Sequence, residues 1–239
     1  MSASSVTIDS SLLGIFVNVI GDKLVITAYH RNAATKILPH VQEALSSPEH
    51  CVSVSIAGES SSGKTEIANC LAALLEMDGW HCLILCQDDY FRLPPKTNYL
   101  RRKSDIEWVG LGEVRLDLID SHVRALKEHP DKPLSKPLMM FEENLVTCEI
   151  IEPGTRNVMI VEGCYTSLVE GIDIRVFIDR DYKQTHRVRK HRARDPNEAF
   201  LERVLAIEHQ EISTHKTHAD IVIDGPDDDP PKSQLEPGG

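Results

Sequence analysis

The chain has 239 residues, 41% of them hydrophobic, which suits one α/β domain with appended pieces better than two full domains. Its formal net charge of -11 argues against a nucleic-acid partner, because nucleic-acid phosphates are usually met by a basic surface. No apolar run approaches the roughly 20 residues that cross a bilayer, and the N-terminus lacks the features of a signal peptide. We therefore expect a cytoplasmic protein with no membrane partner.

Six cysteines are distributed mostly within apolar stretches of the chain. No CxxC pair and no histidine-containing zinc spacing frames them. We interpret them as reduced residues of the core.

The segment from residue 11 to residue 50 is predicted to be an appended hairpin and helix. Two apolar runs, IFVNVI and KLVITA, flank a turn at Gly21, which predicts a β-hairpin between about residues 14 and 28. After it, residues 33–45 carry apolar side chains at helical spacing, and Pro39 predicts a kink or an early end of that helix. The protein could form a homodimer, and the predicted hairpin is a candidate for its interface.

Residues 51–225 are predicted to form the main domain. Five strand-like apolar runs alternate there with polar or helical stretches, namely CVSVSIA, HCLILC, NVMIVE, IRVFID and ADIVID. Such alternation predicts a parallel sheet with helices on both faces. Residues 1–10 are small and polar, and residues 226–239 are acidic and rich in proline, so we expect both ends to be disordered.

A glycine-rich loop follows the first of these strands and precedes an apolar helical period, as the pattern G-x-x-x-x-G-K-[ST] requires. Its residues are Gly58, Glu59, Ser60, Ser61, Ser62, Gly63, Lys64 and Thr65. Backbone N–H groups and the helix N-terminus can bind phosphate oxygens in such a loop. Lys64 can reach the β and γ phosphates of a nucleotide, and the Thr65 hydroxyl can bind Mg²⁺. The loop predicts a nucleotide site.

Asp88 is the candidate that would turn nucleotide binding into catalysis. The run HCLILC leads directly into QDDYF, which puts carboxylates at the carboxyl end of a strand, where parallel sheets bind ligands. A carboxylate there can orient an acceptor hydroxyl and take its proton. A polar loop or a helix cap is the alternative interpretation of the acidic pair.

Together, GESSSGKT, QDDYF and VEG resemble the uridine kinase and phosphoribulokinase family, which includes the nicotinamide riboside kinases. The resemblance covers roughly residues 51–225 and implies a P-loop NTPase fold and transfer of a phosphoryl group from ATP to an alcohol on a small molecule. It assigns Asp88 as the general base, close to the metal. It also implies that Glu162 helps to hold Mg²⁺ through water, and that Asp89 supports the base or binds metal-bound water.

The run KQTHRVRKHRARD resembles the family's lid, whose guanidinium groups bind phosphate and stabilise the transition state. Arg194 carries over best and is the candidate catalytic arginine, while Arg189 and Arg192 are candidates for binding the nucleotide. By the same resemblance, Asp224 and Gly225 lie beside the adenine.

The acceptor site is expected to lie after Asp88, with Asp89 and Tyr90 among its residues. Residues 92–103 contain five basic side chains and no acidic one. This local charge favours an anionic acceptor that is bound by Arg101 and Arg102. A solvated loop is the alternative interpretation.

Two other functions stay open at this point. One is a kinase for another acceptor class, of the pantothenate, glycerate or adenylylsulfate type. The other is a nucleotide-binding regulatory protein, against which stand the missing D-x-x-G and N-K-x-D motifs. A regulator would also need neither a base nor a lid.

Overall fold

The computed structural model describes residues 24–46, 51–187, 189 and 198–226. Its strands are β1 (Val52–Gly58), β2 (Cys82–Cys86), β3 (Leu134–Met140), β4 (Leu145–Ile151), β5 (Val158–Gly163), β6 (Ile174–Asp179) and β7 (Ile221–Asp224). Its α-helices are α1 (Ala28–Leu45), α2 (Lys64–Met77), α3 (Pro95–Ser104), α4 (Leu116–Glu128) and α5 (Glu198–Ile212). Short 3-10 turns occur in several of the connections.

Five strands form one parallel sheet in the order β2-β5-β1-β6-β7. They correspond to the five apolar runs of the sequence, so the predicted parallel sheet is confirmed. Every residue of β1 and β5 is buried, as is usual for central strands that are covered on both faces. The carboxyl ends of β1, β2 and β5 therefore meet at one edge of the sheet.

Two apolar clusters cover the two faces of this sheet. One cluster contains buried residues of α1 and α2 together with inward-facing residues of β1, such as Val54 and Ile56. The other contains Ile119 and Val123 of α4 and Ile212 of α5. This is a three-layer α/β fold, with helices on both faces as predicted.

Helix α1 is longer than predicted and begins where a strand was expected. Residues 24–27 are not in a strand, and Ala28 is already helical, so the predicted second strand of the hairpin is wrong over these residues. The rest of that hairpin lies outside the described residues. Pro39 does not end the helix. Ile37 and Val41 on either side of it are fully buried in the core, and this packing holds the helix together across the proline.

Strands β3 and β4 form an antiparallel hairpin apart from the main sheet, which the sequence did not predict. Pro137 lies inside β3, and most side chains of β4 are exposed, so the apolar alternation typical of a strand is weak. Asn144, in the connecting turn, adopts a φ of 53°, which asparagine tolerates better than most residues.

No cysteine of the described residues is disulfide-bonded. Cys70 is buried, whereas Cys148 is exposed on β4, so the prediction that the cysteines lie in the core is wrong for Cys148. Within the described ranges, no helix combines the length and apolar character needed to cross a membrane.

Candidate active site

The phosphate loop connects β1 to α2 and depends on glycine at two positions. Gly58 has a φ of 150°, and an added Cβ there would lie 2.9 Å from the carbonyl oxygen of Ile178. Gly63 has a φ of 104°, and its Cβ would lie 2.9 Å from Nε2 of His30. Neither position has room for a side chain, so the tight loop needs both glycines.

Lys64 is the first residue of α2, and its side chain folds back over the loop. Its Nζ donates a hydrogen bond to the Glu59 carbonyl at 2.8 Å. Burial alone would lower the pKa of Lys64, but its neighbours, Cys164 first and then Glu162, raise it above the ordinary value. The residue therefore holds a positive charge inside the loop.

Glu162 lies near the end of β5, next to the phosphate loop, and is 3% exposed. Its Oε1 accepts a hydrogen bond from the Thr65 hydroxyl at 3.2 Å. Burial, and then repulsion from Asp88, raise the pKa of Glu162 to about 7, while Lys64 opposes the shift. A buried carboxylate is costly unless it is paired or near a cation, and here Thr65 and the Lys64 charge supply that stabilisation.

Asp88 occupies a 3-10 turn, Gln87–Tyr90, directly after β2. Its charge raises the pKa of both Lys64 and Glu162, so the predicted base lies close to the phosphate loop. Unlike its two neighbours along the chain, Asp88 is exposed. Its carboxylate is therefore accessible to a small molecule.

Gln87 fixes this turn and was missed in the sequence. It is 1% exposed, and its Oε1 accepts a hydrogen bond from the backbone N–H of Tyr165 at 2.7 Å. A Cβ on Gly163 would clash with the side chain of Gln87. The glycine of the VEG motif therefore makes room for the side chain that anchors the Asp88 turn.

The side chains of Asp89 and Tyr90, both predicted to lie in the acceptor site, contact other parts of the protein. Asp89 Oδ2 accepts a hydrogen bond from Lys136 Nζ at 2.7 Å, and Oδ1 accepts one from the backbone N–H of Met139 at 2.9 Å. Tyr90 is fully buried, with its hydroxyl 3.0 Å from Nδ1 of His122. The prediction that Tyr90 contacts the substrate is wrong, because its side chain is fully buried against α4. Asp89 holds the turn to β3, and its contact with a substrate stays a prediction.

A cavity of about 200 Å³ opens beside Asp88. Its walls come from the segment after Asp88, from α3, from the β3–β4 hairpin and from α5. The other lining residues are Phe91, Leu93, Pro95, Asn98, Tyr99, Arg102, Met139, Phe141, Phe200, Leu201 and Val204. Aromatic and aliphatic side chains dominate this lining, as is typical of small-molecule sites.

The two arginines predicted to bind an anion have protein partners instead. Arg101 bonds to Asp105 at 2.8 Å and lies over the Trp108 ring. Arg102 lines the cavity, but its guanidinium is bound at 2.6 Å by Glu113 and at 2.9 Å by Glu208. The prediction that this pair recognises an anionic acceptor is not supported, since their charges are already neutralised.

Of the predicted lid arginines, Arg189 lies within the described residues. It bonds to Glu202 of α5 at 2.7 Å and to the Thr185 hydroxyl at 2.6 Å, and it also contacts the Tyr182 carbonyl. Arg192 and Arg194 lie outside the described residues. The first turn of the predicted lid is thus tied to α5 in this structure.

The predicted adenine residues lie at the end of β7. Gly225 donates its backbone N–H to the Asp179 carbonyl at 3.2 Å. Its missing side chain makes room for Arg180, whose Cγ would lie 3.2 Å from a Cβ at that position. Asp224 is exposed beside it. This edge of the sheet lies across the phosphate loop from Asp88, because β6 and β7 flank β1 on the side away from β5 and β2.

Glu59 has a role that the sequence did not reveal. Although it occupies a variable position of the phosphate loop, it is 5% exposed. Its Oε2 accepts the backbone N–H of Tyr182 at 2.7 Å, and its Oε1 lies 2.6 Å from Nδ1 of His209. The loop is thereby connected both to the start of the predicted lid and to α5.

The profile of the Phosphoribulokinase / Uridine kinase family matches residues 53–222, well over half of the chain. This chain belongs to that family. The match starts in β1 and ends in β7, so it contains the phosphate loop, the Asp88 turn and the end of β5. Members of the family are kinases that transfer a phosphoryl group to a hydroxyl, and this membership decides for a kinase against a regulatory protein.

Individual relatives agree with this family. The chain is 28% identical over 189 residues to the bifunctional alpha-galactosidase/sucrose kinase AgaSK of Mediterraneibacter gnavus, a match that covers 73% of this chain and 20% of that protein. It is 27% identical over 184 residues to a uridine kinase of Lactiplantibacillus plantarum, a match that covers 72% of this chain and 86% of that protein.

Among solved structures, a possible uridine kinase from Bacillus stearothermophilus superimposes with a TM-score of 0.56 at 18% identity. The superposition covers 81% of this chain and 98% of that one. At this level of identity the likeness concerns the fold alone. The P-loop kinase fold that the sequence predicted is confirmed.

Proposed function

We propose that the protein is an ATP- and Mg²⁺-dependent kinase that phosphorylates a hydroxyl of a small neutral acceptor bound in the cavity beside Asp88. The observation that carries this proposal is the position of Asp88. Its carboxylate lines the cavity, and its charge acts on Lys64 and Glu162. Donor and acceptor would therefore meet at this carboxylate.

In this mechanism Asp88 orients the acceptor hydroxyl and accepts its proton as the new oxygen–phosphorus bond forms. The bond between the γ phosphorus and the bridging oxygen breaks, and ADP leaves on the opposite side. Lys64 and the backbone N–H groups of the loop bind the phosphates of the donor. Positioning and charge stabilisation supply most of the rate.

Thr65 and Glu162 are the residues that would hold Mg²⁺, the first through its hydroxyl and the second through water. Among the described residues, no cluster of three or more His, Cys, Asp or Glu side chains could form a metal site of its own. This fits Mg²⁺, which usually takes one or two protein oxygens and completes its shell with phosphates and water. When bound, it would neutralise charge between the β and γ phosphates.

The cavity favours a neutral acceptor with a flat face. Tyr99 and Phe200 line it with their rings edge to face, 5.5 Å apart, and further aromatic and aliphatic side chains surround them. The only cation among the described lining residues is Arg102, which two carboxylates already bind. This lining supports a nucleoside first and a neutral sugar second, classes that the uridine kinase and sucrose kinase relatives also suggest. Glycerate, pantothenate and adenylylsulfate are acidic, so they fit the cavity less well.

An acceptor screen tests this proposal. ADP release is measured with ATP, Mg²⁺ and uridine, other nucleosides, neutral sugars, sugar phosphates or hydroxy acids, and the product is identified by mass. We expect turnover with a neutral acceptor, and we expect Tyr99→Ala to raise the KM for a nucleoside roughly tenfold, because base–aromatic stacking contributes about 1–3 kcal/mol. Arg101→Ala is the matched control, since Arg101 does not line the cavity. Turnover restricted to anionic acceptors would contradict the proposal.

A further inference from the structure

Helix α5 contacts both halves of the site proposed above. Phe200, Leu201 and Val204 of this helix line the acceptor cavity. One turn further along, Glu208 and His209 are adjacent in the chain but bond in different directions. Glu208 binds Arg102, a residue of the cavity wall, at 2.9 Å, while His209 binds Glu59 of the phosphate loop at 2.6 Å.

The contact between His209 and Glu59 is a directed hydrogen bond. A carboxylate can only accept, so Nδ1 of the imidazole carries the proton that lies between them. The other oxygen of Glu59 accepts the backbone N–H of Tyr182 at 2.7 Å, and the Tyr182 and His209 rings lie 5.5 Å apart. The loop, the start of the lid and α5 therefore meet at one carboxylate.

Glu59 carries a negative charge within the loop that is predicted to bind the phosphates of a nucleotide. Its negative charge repels nucleotide phosphates at short range, and both of its oxygens already have partners in the lid and in α5. A shift of this carboxylate on nucleotide binding would therefore reach both Tyr182 and His209. The contact with His209 is the direct link from the loop to α5.

The acceptor side of α5 is attached through an ion-pair network. Glu208 and Glu113 both bind the Arg102 guanidinium, and the Glu113 side chain is fully buried. Arg102 belongs to α3, so a displacement of α5 changes two walls of the cavity together. A helix transmits such a shift along its length because its backbone hydrogen bonds make it stiff.

We propose that His209 is a positioning residue that couples nucleotide binding in the phosphate loop to the α5 and α3 walls of the acceptor cavity. The proposal rests on the proposed function only in taking the ligand of the loop to be ATP and the ligand of the cavity to be the phosphate acceptor. Occupancy of the loop acts on Glu59, Glu59 acts on His209, and α5 carries the change to the cavity walls. The acceptor site is thereby completed after the nucleotide has bound.

Amide hydrogen exchange with the magnesium complex of AMP-PNP, and with no acceptor, tests this coupling. We expect the nucleotide to slow exchange in the loop peptide and also in the peptides that cover α3 and α5. In His209→Ala the slowing of α3 and α5 is lost, while that of the loop remains. His209→Asn restores it, because the asparagine amide offers an N–H close to the position of Nδ1. Gln210→Ala is the matched control, since Gln210 is exposed on the same helix and should behave as the wild type.

The substitution should not unfold the protein, because the His209 side chain is 38% exposed. Slowing of α3 and α5 in His209→Ala equal to that in the wild type would overturn the proposal. So would an asparagine variant that behaves like the alanine variant, because His209 would then act only by its bulk. Protection of the loop in every variant reports nucleotide binding separately, and the acceptor screen tests the proposed function independently of this result.

Discussion

At the scale of single residues, the adjacent arginines Arg101 and Arg102 differ in their burial and in their ion-pair partners. Arg101 pairs with Asp105 at the surface, with about half of its side chain exposed, whereas Arg102 lies between two carboxylates and is 17% exposed. Burial lowers the pKa of Arg102, but Glu208 and Glu113 together raise it above its usual range. Arg102 is therefore a fixed part of the cavity wall and not a free anion receptor.

Replacing Arg102 is expected to be far more damaging than replacing Arg101. Arg102→Met removes the cation that Glu113 and Glu208 share, and breaking a buried ion pair costs about 3–5 kcal/mol. Arg101→Met removes a surface pair that contributes about 0–1 kcal/mol. Urea unfolding of the two variants measures this difference. Equal loss of stability in both would contradict the assignment of Arg102 to a buried network.

At the scale of elements, the β3–β4 hairpin is attached to the Asp88 turn through Asp89. Lys136 of β3 binds Asp89 and also Glu149 of β4 at 2.8 Å. The hairpin contributes Met139 to the cavity lining. Its attachment therefore determines the shape of the acceptor site and not that of the nucleotide site.

Asp89→Ala is expected to raise the acceptor KM roughly tenfold, because hydrogen bonds to charged groups contribute about 1.5–3 kcal/mol. The affinity for ATP should stay unchanged, since Asp89 has no contact with the phosphate loop among the described residues. Steady-state kinetics and nucleotide titration separate the two quantities. Glu149→Ala serves as the control, because the Glu149 side chain is 48% exposed and its pair is worth little. A loss of ATP affinity in Asp89→Ala would contradict this division.

A second element-scale expectation concerns pH and the contact between α4 and the Asp88 turn. Burial, and then the charge of Lys136, lower the pKa of His122 below the ordinary value of 6.5. As the pH falls, His122 therefore gains its proton in the unfolded chain before it does so in the folded protein. The contribution of neutral His122 to the free energy of unfolding is present above about pH 6.5 and decreases as the pH drops toward the pKa of the folded state.

Urea unfolding near pH 7.5 and near pH 5.5 measures this effect. We expect the wild type to lose more stability between the two conditions than His122→Gln, which has no proton to gain. His129→Gln, at the exposed end of α4, should follow the wild type. An equal loss in wild type and His122→Gln would show that His122 does not contribute.

At the scale of the whole molecule, the central sheet and the placement of the phosphate loop near Asp88 and Glu162 could be predicted because their signals are local. Five apolar runs, one eight-residue loop and two strand-end acids occupy short stretches of sequence. Asp89 and Tyr90 could not be assigned in this way, since their partners, Lys136 and His122, lie more than 30 residues away. The β3–β4 hairpin and the contact between Glu59 and His209 also depend on chain segments that only the fold brings together.

Helix α1 shows the same limit at a larger scale. It lies before the family match, which starts at residue 53, yet Ala34, Ile37 and Val41 are fully buried in the core beside α2. Its first turn brings His30 against Gly63 of the phosphate loop. An amphipathic period predicted the helix, but no local pattern indicated that it packs beside the nucleotide site.

The central claim, that Asp88 activates the acceptor in a kinase of this family, is tested most directly by separating binding from transfer in Asp88→Asn. We predict that this variant binds ATP as the wild type does and that its transfer rate falls by roughly two to four decades. Lys64→Ala is the comparison, because it removes charge from the phosphates themselves and should abolish turnover. Undiminished transfer in Asp88→Asn, or loss of its ATP binding, would contradict the account.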